Sequence, residues 1–334
     1  MHRPNLANVT SGSTTNIDHS DVGSLKRKAV NRHYAIIEAP SVLGLRPTGV
    51  ETLPDALLGA GLATRLRARR AGRVQPPPYD DRRDPETLML NPKGIAEYTS
   101  KLADSIGEVL DTGDFPVVLG GDCSIVLGGL LALRRRGRFG LLFVDGHTDF
   151  YQPEANTNGE AASSDLALAT GRGPEILTMF DGYRPLVRDA DVVVLGFRDA
   201  EEAARYGSQL PPPEMRTIDL AEVRRSGIEA TARDAVDRLS RNALAGFWIH
   251  LDADALADDV MPAVDYRLPD GLSFDELEII LETALESPRA VGLEITIFNP
   301  HLDRNGRIAR SLVDSLVRSM TSGADRRSGG RRSS

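Results

Sequence analysis

Phe247-Trp248-Ile249-His250-Leu251-Asp252-Ala253-Asp254 is an apolar run that ends in two carboxylates, with an imidazole two residues before the first. A run this apolar reads as a strand buried on both faces of a parallel sheet. Side chains of an extended chain alternate between faces, so His250, Asp252 and Asp254 share one side if the strand continues that far. Two other apolar runs end in the same way. Residues 115–119 lead into Gly120-Gly121-Asp122-Cys123-Ser124, and residues 140–144 into Asp145-Gly146-His147-Thr148-Asp149. The same alternation places Asp145, His147 and Asp149 together. Gathered carboxylates repel one another, and a cation resolves the conflict. Oxygen and imidazole donors suit Mn, Fe, Co, Ni or Zn, and two such ions about 3.5–4 Å apart make water nucleophilic at neutral pH.

Working outward, short apolar runs at 34–38, 115–119, 140–144, 192–195, 247–251 and 290–293 read as strands. Between them, apolar residues spaced by three and four at 93–110, 125–135, 229–241, 274–285 and 309–320 read as helices. The alternation predicts an α/β fold of three αβα layers around a central, mostly parallel sheet. Ligand sites of such sheets lie beyond the carboxyl ends of the strands, where all three clusters fall. Ser273, followed three residues later by Glu276, has the arrangement of a capping box at the start of a helix. No internal linker is marked, so residues 33–320 are read as one catalytic domain. Residues 1–32, rich in Ser, Thr, Asn and Asp, read as a flexible extension, and the basic tail 321–334 as disordered.

The 334 residues carry a net charge of -8 and are 41% hydrophobic. That acidity argues against nucleic acid as a partner, and a small-molecule substrate is expected instead. The arginines at 134–136 and between 65 and 70 follow helical patterns and read as solvated helix ends. The chain has a single cysteine, which excludes an internal disulfide and fits a reducing compartment. No apolar run approaches the ~18 residues of a membrane span, so a cytoplasmic location without membrane association is expected. Phosphate-loop and nucleophile-elbow motifs are missing from the sequence. Gly120-Gly121 reads as a tight turn that sets Cys123 at a helix start, where a thiolate with a lowered pKa could ligate a metal or act as a nucleophile.

The order and content of these motifs resemble the arginase/agmatinase (ureohydrolase) family, whose usual signatures are GGDHS, DAHxD and SxDxD. The resemblance runs from about Tyr34 to about Leu316 and includes Thr48-Gly49-Val50-Glu51, Gly196-Phe197-Arg198-Asp199 and Gly292-Leu293-Glu294 with Asn299-Pro300. It implies an arginase-like fold and two divalent ions, Mn by family habit. Cys123, Asp145, Asp149 and Asp252 would hold one ion, and Asp145, His147, Asp252 and Asp254 the other. It also implies assembly as a homo-oligomer, a trimer or hexamer. The activity implied is hydrolysis of a C–N bond in a guanidino or hydroxyguanidino group, releasing urea or hydroxyurea. Cys123 stands where most of the family has His, which admits Zn, Fe, Co or Ni. With Trp248 to Asp254 and Pro262-Ala263-Val264-Asp265-Tyr266, it is similar to a Cys-containing branch, the N-hydroxyarginine hydrolase of D-cycloserine biosynthesis.

Other departures bear on substrate and proton transfer. The family's guanidinium-binding Glu aligns with Ile297, while Glu294 lies three residues earlier. The loop after Asp149 lacks the family's His and offers Asn156, Asn158 and Glu160. Asp149, His250 and Glu294 are therefore the candidate catalytic groups. His250 is read either as a proton shuttle or as a group orienting a ligand carboxylate. Asn156, Asn158 and Glu201 are the candidate substrate contacts, Glu201 for a substrate ammonium. Two other functions stay open at this point. One is thiol chemistry at Cys123, and the other a degenerate member retained for ligand binding or regulation.

Overall fold

The computed structural model describes residues 32–241 and 243–328, with side chains through 322. The extension read at 1–32 lies outside the described residues except for Arg32, as do the last six residues of the basic tail. Eight strands form one sheet: β1 (Tyr34–Glu38), β2 (Arg69–Arg73), β3 (Phe115–Leu119), β4 (Gly140–Val144), β5 (Val192–Leu195), β6 (Arg216–Ile218), β7 (Phe247–Asp252) and β8 (Ala290–Thr296). Their order is β2-β1-β3-β8-β7-β4-β5-β6, and every pairing is parallel. This is the expected arginase-like α/β architecture.

Alternation along the strands builds the three layers. Ile249 and Leu251 of β7 join Val117, Leu142, Val193 and Leu293 in one core, under helices Ile228–Leu239, Phe274–Glu286 and Arg307–Ser328. Trp248 of β7 and Phe143 of β4 join the other core, under helices Pro92–Asp111 and Val126–Arg134. Burial of both faces accounts for runs with no polar alternation. Trp248 fits because position 292 is glycine: a Cβ there would stand 2.0 Å from the indole. Ser273 and Glu276 form the expected capping box, with Glu276 N donating to Ser273 Oγ at 3.2 Å and Ser273 N donating to the Glu276 carboxylate at 2.8 Å.

Register brings the central strand ends to one level. Val144 pairs with Leu251, His250 with Glu294, and Leu119 with Ile295. The carboxyl ends of β3, β8, β7 and β4 therefore open onto one area, which is where the clusters emerge.

Both edge strands escaped the sequence reading. Arg69 and Arg70 belong to β2 and not to a helix end; the helix before it stops at Leu66. β2 is largely exposed and arginine-rich, with Arg73 Nε donating to Glu38 of β1 at 2.8 Å. Charge suits a strand whose outer edge must not recruit another chain, and it erases the apolar signature. β6 has only three residues. The last helix, Arg307–Ser328, also runs past Thr321, where the tail was placed. Its apolar periodicity stops there, but no proline interrupts residues 321–328.

Candidate metal centre and its cavity

After β3 the chain crosses within touching distance of Ser41, because a Cβ on Gly121 would lie 1.8 Å from the Ser41 carbonyl oxygen. Asp122 then accepts hydrogen bonds from Ser124 N at 2.9 Å and Ser41 Oγ at 2.8 Å. These bonds start the short 3-10 turn Cys123–Ile125, and Cys123 Sγ donates to Asp252 Oδ2 at 2.7 Å. Thr296 Oγ1, at the end of β8, lies 3.2 Å from the same sulfur.

Strand geometry ends at Val144, so loop bonds and not alternation gather the second cluster. Asp145 Oδ1 accepts from His147 N at 2.6 Å. Asp199 fastens the loop by accepting from Thr148 N at 3.0 Å and Thr148 Oγ1 at 2.9 Å. Asp149 turns with a positive φ of 44°. At the end of β7, Asp252 Oδ1 accepts from Asp254 N at 2.7 Å, and Asp254 Oδ1 from Gly146 N at 3.0 Å. Asp254 Oδ2 lies 3.0 Å from His147 Nδ1. Arg198 Nη2 holds the Asp254 carbonyl at 3.0 Å. The Gly196-to-Asp199 segment thus braces both acidic loops.

Three sets of donor atoms converge to within 4.8 Å of one another: Cys123, Asp145, His250 and Asp252; Asp145, His147 and Asp254; and Cys123, Asp149 and Asp165. All six expected ligands occur in these sets but not in the two expected groupings: Asp149 falls with Cys123 and Asp165, Asp252 falls in the first set alone, and Cys123 and Asp145 each belong to two sets. Asp165 was missed by the sequence analysis. It opens a helix away from the strand ends, where its position carries no ligand signature, yet it is fully buried.

The charges of this cluster are unresolved within the protein. Asp145 Oδ2 and both oxygens of Asp165 are buried without a hydrogen-bond partner. Burial, then the Asp254 charge, pushes Asp145 up to about 6. Burial also raises Asp149, Asp165 and Asp252 well above the carboxylate range, with neighbouring carboxylates adding to the rise in Asp149 and Asp252. His147 is raised to about 10 because Asp254 outweighs the lowering effect of burial. A group of carboxylates and a thiol with orphaned oxygens fits two divalent cations.

Cys123 departs from expectation. Its thiol is pushed well above its usual value by burial and then by Asp252. After burial, the largest influences on it are aspartates, so in the metal-free protein it is a poor nucleophile.

A cavity of about 270 Å³ opens beside the cluster. Cys123, His147, Asp149, Asp252, Asp254 and Ile297 line its inner part, and Tyr151, Asn156, Asn158, Glu202, Tyr206 and Tyr266 also face it. Glu201 is exposed and does not face the cavity; the next residue on the helix, Glu202, does. Asn156 Nδ2 donates to Glu160 O at 2.6 Å and Ser164 Oγ at 3.0 Å, so its amide braces the loop. Asn158 Nδ2 donates to Glu160 Oε2 at 2.7 Å, and Tyr266 donates to the same oxygen.

His250 and Glu294 are fully buried, off the cavity wall, and bonded to each other at 2.8 Å. His250 Nε2 faces Asp145 Oδ2 at 3.8 Å. That placement removes direct proton delivery from His250 to a substrate and matches the orienting role. Glu294 cannot replace the aligned Glu, because β8 stays regular through Thr296. Ile297 then turns with φ 68° and presents its side chain to the cavity.

The family model described as "Arginase family" matches residues 32–322. The arginase of Staphylococcus aureus strain MRSA252 is 27% identical over 300 residues, covering 87% of this chain and 96% of that protein. The Brevibacillus brevis arginase is 29% identical over 295 residues, covering 85% and 96%. The native structure of Bacillus caldovelox arginase superposes with a TM-score of 0.77 at 26% identity, covering 87% of this chain and 98% of that one. With the ligand geometry, this extent of matching leads to one assignment: the chain belongs to the arginase family.

Proposed function

We propose that this protein is a two-metal amidinohydrolase whose preferred substrate carries a hydroxyguanidine in place of a guanidinium, and that it releases hydroxyurea. Hydrolysis of C–N bonds in linear amidines is the activity of its family neighbours. The observation that carries the finer reading is Ile297. It puts a hydrocarbon on the cavity wall at the position where the family resemblance calls for a carboxylate. A hydroxyguanidine is less basic than a guanidine and enters more readily as a neutral group.

The ion pair supplies Lewis acidity that makes water nucleophilic at neutral pH, with Mn proposed by family habit and Zn, Fe or Co by the thiolate. Cys123 and Asp149 would hold one ion, His147 and Asp254 the other, and Asp145 and Asp252 both. Asp149 faces the cavity and accepts a hydrogen bond from the attacking water. As the amidine C–N bond breaks, the proton taken from water passes through Asp149 to the leaving amine. Glu202, not Glu201, is placed to read a substrate ammonium, and Tyr151, Tyr206 and Tyr266 narrow the approach. Assembly as a trimer or hexamer, and a cytoplasmic site of action, are part of the same proposal. No described helix is long and apolar enough to cross a membrane.

The test is a metal-loaded screen across arginine, N-hydroxyarginine, agmatine, guanidinobutyrate and formiminoglutamate, scoring urea, hydroxyurea and ammonia. Hydroxyurea from N-hydroxyarginine as the fastest product is expected. A clear preference for arginine or formiminoglutamate overturns the substrate assignment.

A further inference from the structure

Asp165 is the first residue of the helix Asp165–Ala169 and is reached through a 3-10 turn, Ala161–Ser164. That turn is pinned from behind, since Asn156 Nδ2 donates to both Glu160 O and Ser164 Oγ. The residue is 0% exposed, and neither carboxylate oxygen has a hydrogen-bond partner. A carboxylate withdrawn from water with no donor on either oxygen is unfavourable, and these two oxygens are free to meet a cation. The charge of buried His250 favours the Asp165 carboxylate through space, but its Nδ1 is bonded to Glu294 and its Nε2 faces Asp145, so neither nitrogen donates to Asp165.

What does converge on Asp165 is a thiol and a second carboxyl group. A carboxylate oxygen of Asp165, Cys123 Sγ and an oxygen of Asp149 lie within 4.8 Å of one another. Atoms so spaced can all stand at coordination distance, about 2–2.5 Å, from one central ion. Cys123 and Asp149 are already ligands in the two-metal reading, whereas no family motif supplies Asp165.

We propose, resting on that two-metal reading, that Asp165 is an additional ligand of the ion at Cys123 and Asp149. The ion is then held from a third direction, by a helix start as well as by the β3 and β4 loops. Where most of the family offers His, this site offers one thiolate and an extra carboxylate, a donor set with more negative charge. Such a set retains divalent Zn, Fe or Co and leaves fewer positions open to solvent on that ion.

The experiment uses the full chain, stripped with a chelator and titrated with Co2+. Elemental analysis gives stoichiometry and affinity, and the thiolate-to-cobalt charge-transfer band reports the Cys123 ion directly. The wild type is expected to take up two ions. Asp165→Asn keeps the shape but cannot supply an anionic oxygen, and should weaken one ion at least tenfold and shift the band. Asp165→Asn should also melt higher than wild type without metal and lower with it, a reversal that a purely structural residue would not produce. Two ions at wild-type affinity with an unchanged band in Asp165→Asn would overturn the proposal alone. Failure of the wild type to bind Co2+ would instead overturn the two-metal reading, and this inference with it. Should Asp165→Asn not fold, a cobalt-loaded wild-type crystal structure decides: an Asp165 oxygen at coordination distance supports the ligand, and one beyond 3.5 Å overturns it.

Discussion

His250 Nδ1 lies 2.8 Å from Oε1 of Glu294, its register partner on β8, while Nε2 of the same ring faces Asp145 Oδ2 at 3.8 Å. The ring is stacked on Phe143, with centroids 4.4 Å apart. Burial alone would pull the imidazole's pKa down, but the facing Asp145 carboxylate and the bonded Glu294 raise it well above its usual value. A ring held this way presents Nε2 to Asp145, and the orienting role proposed for it is to steer that carboxylate toward an ion. Outer groups that orient a metal ligand are typically worth about 10–100-fold in metal affinity. Glu294→Gln should therefore weaken metal binding within that range while the cavity lining stays intact. Chelator competition measures it, and an unchanged affinity would refute the orienting role.

Asp145 belongs to two of the converging donor sets, and Asp252 sits between Cys123 Sγ and the Asp254 amide. Asp145→Ala and Asp252→Ala should each abolish binding of both ions, whereas Asp254→Ala should lose one. Elemental analysis of the purified variants reads the difference. Full occupancy in Asp252→Ala would end the binuclear assignment.

The thiol at position 123 is a softer donor than the imidazole usual at that place in the family. Weak Mn occupancy at the Cys123 side is expected, with better retention of Zn, Fe or Co. Cys123→His should shift occupancy toward Mn. Equal Mn affinity at both sites in the wild type, unaltered by the substitution, would remove Cys123 from the ligand set.

Residues that are both apolar and central were legible in the sequence. β3, β4, β5 and β7 are buried on both faces, so their apolar runs stand out, and their carboxyl ends announce Cys123, Asp145 and Asp252. Separate motifs also meet in space: Thr48, Asp265 and Asn299 share hydrogen bonds. What stayed hidden depends on tertiary placement. β2 is written in arginines because its partner is Glu38 and its outer edge is free. Asp165 opens a short helix like many surface aspartates, and only the fold buries it. Adjacent Glu201 and Glu202 differ by about 100° of helix rotation, and nothing local says which one faces the cavity.

Stripped of metal, the protein should lose stability as pH rises. Asp145, Asp149, Asp165, Asp252 and Glu294 all have folded pKa values raised by burial. A raised value means that the stabilising contribution is fully present below the unfolded pKa, about 4 for carboxylates, and is lost as pH climbs through the folded one. For Asp145 that window runs up to about 6. His147, raised to about 10, acts in the same direction above its unfolded value of about 6.5. Asp254 is lowered by His147 against the effect of burial, and works oppositely only at lower pH. The melting temperature of chelated protein should fall from pH 5 to pH 8, and saturating metal should flatten or reverse that trend. A chelated protein more stable at pH 8 than at pH 5 would contradict this charge balance.

The proposed substrate preference turns on Ile297. A β-branched residue at φ 68° is a backbone outlier, so the cavity wall holds this side chain despite local strain. A cationic guanidinium facing it forgoes a charge-assisted hydrogen bond worth about 1.5–3 kcal/mol, or roughly 10–150-fold in transition-state stabilisation if the contact persists there. Arginine and agmatine should be poor substrates, while a neutral hydroxyguanidine loses less. Ile297→Glu restores the carboxylate and removes the β-branch, but it sets a charge at a position only 5% exposed beside the acidic cluster, so the metal-free variant should melt below wild type. It should raise kcat/KM for arginine or agmatine by more than for N-hydroxyarginine. Ile297→Leu, which relieves the branch without adding charge, is the control and should leave the ratio of the two unchanged. Wild-type hydrolysis of arginine as fast as that of N-hydroxyarginine would show that the cavity reads the guanidinium through another group. Glu202, the acidic residue facing the cavity outside the metal cluster, would then be the residue to replace.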